Sequence, residues 1–91
     1  MTLDELYTVI CDRRDHPTPN SYTASLFAKG IDEILKKVGE EAVEVVLAGK
    51  GQGSQRLTEE VADLAYHTLV LLAATGLSPA DIRAELERRH R

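Results

Sequence analysis

Aromatic side chains are nearly missing from this chain. Its 91 residues hold no tryptophan, one phenylalanine and three tyrosines, so the core has to be aliphatic. The single cysteine, Cys11, has no internal disulfide partner, which suits a reducing compartment. No stretch alternates apolar and polar residues as a half-buried strand would, which argues against a sheet. No apolar run reaches the roughly 18 residues of a membrane span; the longest candidate, Leu64 to Ala74, is interrupted by His67 and Thr68. Met1 to Ile10 already carries Asp4 and Glu5, unlike a signal peptide. An excess of positive charge is also lacking: the formal net charge is −4, which argues against nonspecific nucleic-acid binding. The Gly49-Lys50-Gly51-Gln52-Gly53 stretch lacks the spacing of a phosphate loop, which argues against a kinase or P-loop ATPase. The expectation is a cytoplasmic single domain over residues 1–91, with no membrane or nucleic-acid partner.

What the chain does have is helical periodicity. Thr2-Leu3-Asp4-Glu5 fits a capping box, and Leu3, Leu6, Tyr7 and Ile10 form the stripe of a first helix that fades by Arg14. Pro17 and Pro19 hold the next segment out of a helix. Ser21 to Lys29 reads as a short helix with Leu26 and Phe27 inward, capped by Asn20 or Ser21 and ended by Gly30 at positive φ. Ile31 to Ala48 is a long helix striped by Ile31, Ile34, Leu35, Val38, Ala42, Val45 and Val46, with Gly39 inside it and the 49–53 glycines ending it. A second long helix begins between Ser54 and Thr58 and runs to about Thr75. Leu57, Val61, Leu64, Ala65, Thr68, Leu71 and Leu72 form its main face. From Leu64 on it is apolar nearly all round, which in so small a chain points to a dimer interface. Ser78-Pro79-Ala80-Asp81 opens the last helix, and Arg88-Arg89-His90-Arg91 is a basic tail suited to a solvated helix end. The fold class is therefore all-α, with four to five helices.

The long helices carry acids in a repeated arrangement. Glu41 and Glu44 stand three apart, as do Glu60 and Asp63, and His67 follows Asp63 by four. Like charges so placed cost a helix a few tenths of a kcal/mol, and a cation between them reverses the sign. At about 100° per residue, Glu41 and Glu60 lie at the edges of their apolar stripes, with Glu44 and Asp63 about 60° further out. A short glycine-rich connection makes the helices antiparallel neighbours, so the pairs can face each other across a groove. Oxygen-only ligands favour Mg²⁺ or Mn²⁺, and Mg²⁺ binds phosphate oxygens, so a polyphosphate ester is the implied substrate. Lys37, Lys36, Lys29 and Arg13 are the candidate phosphate contacts. His67 is a candidate donor to the metal shell or to phosphate, or equally a polar residue at a helix contact. A single Glu-x-x-Glu is most often a solvated face, and in a chain that is 29% charged such pairs arise by chance. Two pairs, each reaching a stripe edge, bring that reading and the metal-site reading level.

Glu41-x-x-Glu44 followed by Glu60-x-x-Asp63 resembles the metal signature of the all-α NTP pyrophosphatases of the MazG type. Ser21-Tyr22-Thr23-Ala24-Ser25-Leu26, Lys36 to Glu44 and Glu60 to His67 together resemble the phosphoribosyl-ATP pyrophosphatases of histidine biosynthesis, over Leu3 to Leu86. That resemblance implies a MazG-like helical bundle, dimeric or dimer-based, in its stand-alone form without a fused cyclohydrolase domain. It implies hydrolysis of phosphoribosyl-ATP to phosphoribosyl-AMP and pyrophosphate. Glu41, Glu44, Glu60 and Asp63 would hold Mg²⁺, and Glu40 would be a further ligand or water contact. The metal would neutralise charge on the leaving pyrophosphate and acidify a bound water, with a carboxylate acting through water as base. Ser21 and Thr23 would contact substrate. Two rivals remain at this point: a housekeeping pyrophosphatase acting on ordinary or damaged nucleoside triphosphates, and a helical dimerisation module whose carboxylates are merely solvated.

Overall fold

A computed structural model describes residues 1–90, and every described element is a helix: α1 (Leu3–Asp15), α2 (Tyr22–Lys29), α3 (Ile31–Gly51), α4 (Ser54–Ala74) and α5 (Pro79–Arg89). The starts follow local chemistry. Thr2 and Glu5 form a reciprocal capping box, with Thr2 Oγ1 accepting from the Glu5 amide at 3.0 Å and Glu5 Oε1 from the Thr2 amide at 2.9 Å. Ser21 caps α2, its hydroxyl oxygen accepting from the Ala24 amide at 3.0 Å. Ser78 and Asp81 form a second capping box ahead of Pro79.

Gly30 ends α2 and starts α3 at φ 98°, ψ −179°, a region that essentially only glycine occupies. Nothing lies within 4 Å of where a Cβ would stand. Gly30→Ala should therefore cost about 1–3 kcal/mol through backbone strain alone. Urea unfolding of the two proteins measures it, and an unchanged midpoint would contradict the assignment of strain.

The helical part of the glycine-rich connection is longer than its composition suggests. α3 continues past Ala48 through Gly49, Lys50 and Gly51, and the break falls at Gly53, φ 89°. Glycine inside a helix costs only about 1 kcal/mol relative to alanine. Packing is at hand to offset that, since Gly49 faces Leu57 of the returning helix. α3 and α4 thus form an antiparallel hairpin of two 21-residue helices, with the most extensive contact in the molecule.

α1 and α2 lie against this hairpin. Ile10, Leu26, Ile34 and Val70, one from each of the first four helices, are the large side chains almost wholly removed from solvent. Leu69, Leu72 and Ala73 complete the buried cluster, with Leu6, Tyr7, Cys11, Phe27, Tyr66 and Leu71 packed around it. Within the apolar half of α4, Leu69, Val70, Leu72 and Ala73 are buried by the chain itself, while Leu64, Ala65, Thr68 and Leu71 are only half-buried. Apolar surface is left exposed on α3, at Ile31, Leu35, Val43, Val46 and Leu47, Val46 by 69%, and also at Leu3, Ile82 and Leu86, which border an apolar groove against Ala65, Leu69 and Leu72 of α4. On α3, Ile31, Leu35 and Val46 belong to the expected inward stripe. The apolar arc of α3 is wider than its intrachain neighbours can cover, and they claim the Ile34 side. Val61, expected on the inner face of α4, is likewise exposed. α5 turns away from α4 by 104° and is fastened by the Tyr7 hydroxyl donating to the Leu77 carbonyl at 2.6 Å and by an exposed Arg83–Asp4 pair at 3.0 Å. No single helix among the described residues is long and apolar enough to cross a membrane.

Candidate metal centre

The hairpin brings three of the four signature acids together. Glu41 of α3 and Glu60 and Asp63 of α4 each offer a carboxylate oxygen, all within 4.8 Å of one another. Their burial is graded: Glu60 is only 5% exposed, Glu41 is partly buried and Asp63 is exposed. The cluster thus opens from the seam towards solvent. Glu44 is half-buried one turn along α3 and lies outside the converging set in this arrangement, while Glu40 is exposed.

Basic side chains already sit against two of the three acids. Lys37 Nζ is 3.4 Å from Glu41 Oε1, and the Arg56 guanidinium pairs with buried Glu60 and, at 3.0 Å, with Glu59. The Lys37–Glu41 and Arg56–Glu60 pairs each join residues four apart, cation first, so the two antiparallel helices bring their cations in from opposite ends. Desolvation pulls the Lys37 ammonium down, but the Tyr22 hydroxyl and the Glu41 and Glu40 carboxylates outweigh it and hold the group above the ordinary lysine value. Arg56 was not singled out from the sequence, although its four-residue spacing to Glu60 was there to be read.

Beside the acids lies a polar and aromatic cluster. His67 is buried, and its Nδ1 donates to the Asp63 carbonyl at 2.8 Å. A carbonyl only accepts, so the neutral imidazole carries its proton on Nδ1 and Nε2 is the acceptor. The Tyr22 hydroxyl, 3.1 Å from Nε2, is then the donor. The Thr23 hydroxyl is hydrogen-bonded to the Tyr66 hydroxyl, and burial raises the Tyr66 phenol above its ordinary value although the Thr23 bond opposes this. The Tyr22 and Tyr66 rings stack at 6.3 Å between centroids, and His67 stands edge-on to both. Tyr22 and Tyr66 lie within segments quoted above, yet nothing in their spacing foretold that α2 would lay them against His67.

The remaining sequence candidates are more scattered. Ser21 has its hydroxyl oxygen engaged as the cap of α2. Lys29 and Lys36 are exposed and form no ion pair among the described residues, and Arg13 is paired with Asp12 on its own helix at 2.8 Å. Arg88 and Arg89 of the basic tail are exposed and paired with Glu85, as a solvated helix end would be; Arg91 lies outside the described residues.

A helical hairpin that converges carboxylates across its seam, with ammonium, guanidinium, imidazole and hydroxyl groups around them, defines an all-α protein with a carboxylate-centred site. Comparison with known proteins narrows this class. The model of the family described as phosphoribosyl-ATP pyrophosphohydrolase matches residues 3–90. Among relatives, the phosphoribosyl-ATP pyrophosphatase of Geobacter sulfurreducens is 56% identical over 87 residues, spanning 96% of this chain and 81% of that protein. The one from Trichlorobacter lovleyi is 58% identical over the same shares. The histidine biosynthesis bifunctional protein HisIE of a Nostoc species is 50% identical over 99% of this chain, which corresponds to 42% of that longer protein. The chain belongs to the phosphoribosyl-ATP pyrophosphohydrolase family.

Proposed function

We propose that this protein hydrolyses phosphoribosyl-ATP to phosphoribosyl-AMP and pyrophosphate, with Mg²⁺ or Mn²⁺ held by Glu41, Glu60 and Asp63, as a cytoplasmic step of histidine biosynthesis. The observation that carries the reading is the convergence of those three carboxylates in a chain of this family. The donor set fits the ion: hard oxygen ligands suit Mg²⁺ and Mn²⁺, and one of the three is exposed, leaving room for water and phosphate. Glu44, one turn from Glu41, joins the set with a change of rotamer, and Glu40 is placed to hold water. When bound, the metal supplies charge neutralisation for the phosphate oxygens and acidifies water.

The chain's own groups do the rest. Lys37, partly buried and charged, meets the triphosphate at the seam. Lys36, Lys29 and Arg13 supply a looser positive rim. The paired Nδ1 and Nε2 of His67 lock its ring, so that it orients the Tyr22 hydroxyl and the Asp63 backbone rather than wandering. Thr23, fixed by Tyr66, presents a hydroxyl beside them, and Ser21 supplies a further polar contact at the head of α2. Charge placement of this sort is what phosphoryl transfer asks of a protein, since the chemistry needs little covalent help. Incubation with Mg²⁺ and phosphoribosyl-ATP, ATP or dUTP decides the matter. Pyrophosphate from phosphoribosyl-ATP alone supports the proposal. Release from ATP or dUTP alone supports a broader nucleotide pyrophosphatase, and no release from any sinks the enzymatic reading.

The exposed arc of α3 is the reason to read the active form as a homodimer. Ile31, Leu35, Val43 and Val46 form one continuous apolar face, with Gly39 open beside them for close approach of a second helix. Val46→Glu should convert the dimer to a monomer in sedimentation at micromolar concentration, while Val61→Glu on the other helix should do so less. A Val46 variant that sediments like the parent would move the interface elsewhere.

A further inference from the structure

We infer that the free face of the Tyr22 ring is the stacking platform for the substrate's adenine, and that Tyr22 thereby helps to select a phosphoribosylated base over an ordinary one. The inference rests on the proposed function and adds the group that recognises the base.

Tyr22 is linked through His67 to the turn of α4 that carries Asp63. Its hydroxyl is 3.1 Å from His67 Nε2, and His67 reaches the Asp63 carbonyl on its other side at 2.8 Å. Lys37 Nζ is 3.4 Å from Glu41 of the same cluster. A triphosphate on the carboxylates therefore has the Tyr22 ring at its flank.

The ring is also exposed without being free. Half of the residue is open to solvent, yet the hydroxyl is bonded, one side is stacked on Tyr66 at 6.3 Å and 28°, and His67 meets it edge-on at 6.0 Å. A platform so fixed gives up little conformational entropy on binding. No other aromatic among the described residues offers such a face. Tyr7 is tied to the Leu77 carbonyl, and Phe27 and Tyr66 pack on the core.

The base supplies the complement. An adenine that carries a second sugar on N1, in addition to the one on N9, is a stronger base than the adenine of ATP and is largely cationic near neutral pH. A cationic ring over a tyrosine face gains cation–π attraction in addition to stacking, and neutral ATP gains only the latter.

The test uses the full-length protein with Mg²⁺ and two variants, Tyr22→Leu and Tyr22→Phe. Tyr22→Leu is expected to raise KM for phosphoribosyl-ATP about tenfold or more while kcat stays within about threefold. Inhibition by pyrophosphate, which has no base, should be unchanged. N1-methyl-AMP should inhibit the parent better than AMP does, and Tyr22→Leu should erase that preference. Tyr22→Phe keeps the face but loses the hydroxyl's bond to His67, and should raise KM clearly less than Tyr22→Leu does. Three results overturn the inference with the functional reading intact: parental KM in Tyr22→Leu, equal weakening of pyrophosphate, or Tyr22→Phe as damaged as Tyr22→Leu. A parent protein inert on phosphoribosyl-ATP removes the functional reading and the stacking together.

Discussion

Asp63→Asn is expected to lower pyrophosphate release from phosphoribosyl-ATP by about 10²-fold or more and, in the absence of metal, to leave the protein at least as stable as the parent. The magnitude follows from the proposed ligand role, since even groups that only orient metal ligands are worth about 10- to 100-fold. The stability side follows from crowding. Asp63 is exposed, and its carboxylate lies within 4.8 Å of those of Glu41 and Glu60. Removing one of three like charges relieves repulsion worth a few tenths of a kcal/mol per pair. In EDTA the variant should therefore melt no lower than the parent. Added Mg²⁺ should raise the melting temperature of the parent, as any ligand of the folded state does, and leave Asp63→Asn nearly unmoved. A residue that merely braced the fold would give the opposite signs. Glu41→Gln and Glu60→Gln should lose activity similarly, but each also strips a carboxylate from Lys37 or Arg56, so Asp63 is the cleaner probe. Glu44→Gln is the informative companion. A loss equal to that of Asp63→Asn makes Glu44 a ligand reached by a rotamer change, and a loss under about tenfold leaves it outside the coordinating set.

Ile34→Ala should be the most destabilising of the conservative core changes, at about 2–5 kcal/mol. Ile34 is 1% exposed and belongs to the one cluster that joins the first four helices. The cavity left by truncation has few ways to close, because Ile10, Leu26 and Val70 around it are fixed on three other helices. A domain of this size has about 5–15 kcal/mol in all. Thermal unfolding should fall by about 10 °C or more. Leu35→Ala, one residue on and 49% exposed, is the control. In the isolated subunit it should have little effect, and any loss it shows should depend on protein concentration, as a residue at a subunit contact requires. A loss for Leu35→Ala equal to that for Ile34→Ala, independent of concentration, would contradict the placement of the two faces of α3.

The two variants probe parts of the molecule that were legible in the sequence to different degrees. Asp63 and Glu41 were readable because helical spacing is rigid: residues three and four apart share a face whatever the helix packs against. The caps at Thr2, Ser21 and Ser78 and the positive-φ stop at Gly30 were equally local, and they stand where the residues indicated. The inward face of α3 was less so. Ile31, Leu35 and Val46 have the same chemistry as Ile34 and Val38, and no local rule says which side of a broad apolar arc α1, α2 and α4 will claim. The same ambiguity holds for α4, where Leu69, Val70, Leu72 and Ala73 are buried but Leu64, Ala65 and Leu71 are only half-buried and Val61 is exposed.

By itself, then, the sequence determined an all-α chain, the positions of its helix starts, and a pair of helices each bearing acids at the edge of an apolar stripe. These depend on contacts within about one turn of helix, where geometry is set by the backbone. Tertiary structure decided that Glu41, Glu60 and Asp63 meet while Glu44 stands aside, that Lys37 and Arg56 come in against two of them, and that α2 sets Tyr22 and Thr23 against His67 and Tyr66. It also left a broad apolar arc of α3 exposed. Those outcomes turn on the rotation of each helix about its own axis and on which neighbour reaches it first, and packing fixes both only when the whole core closes.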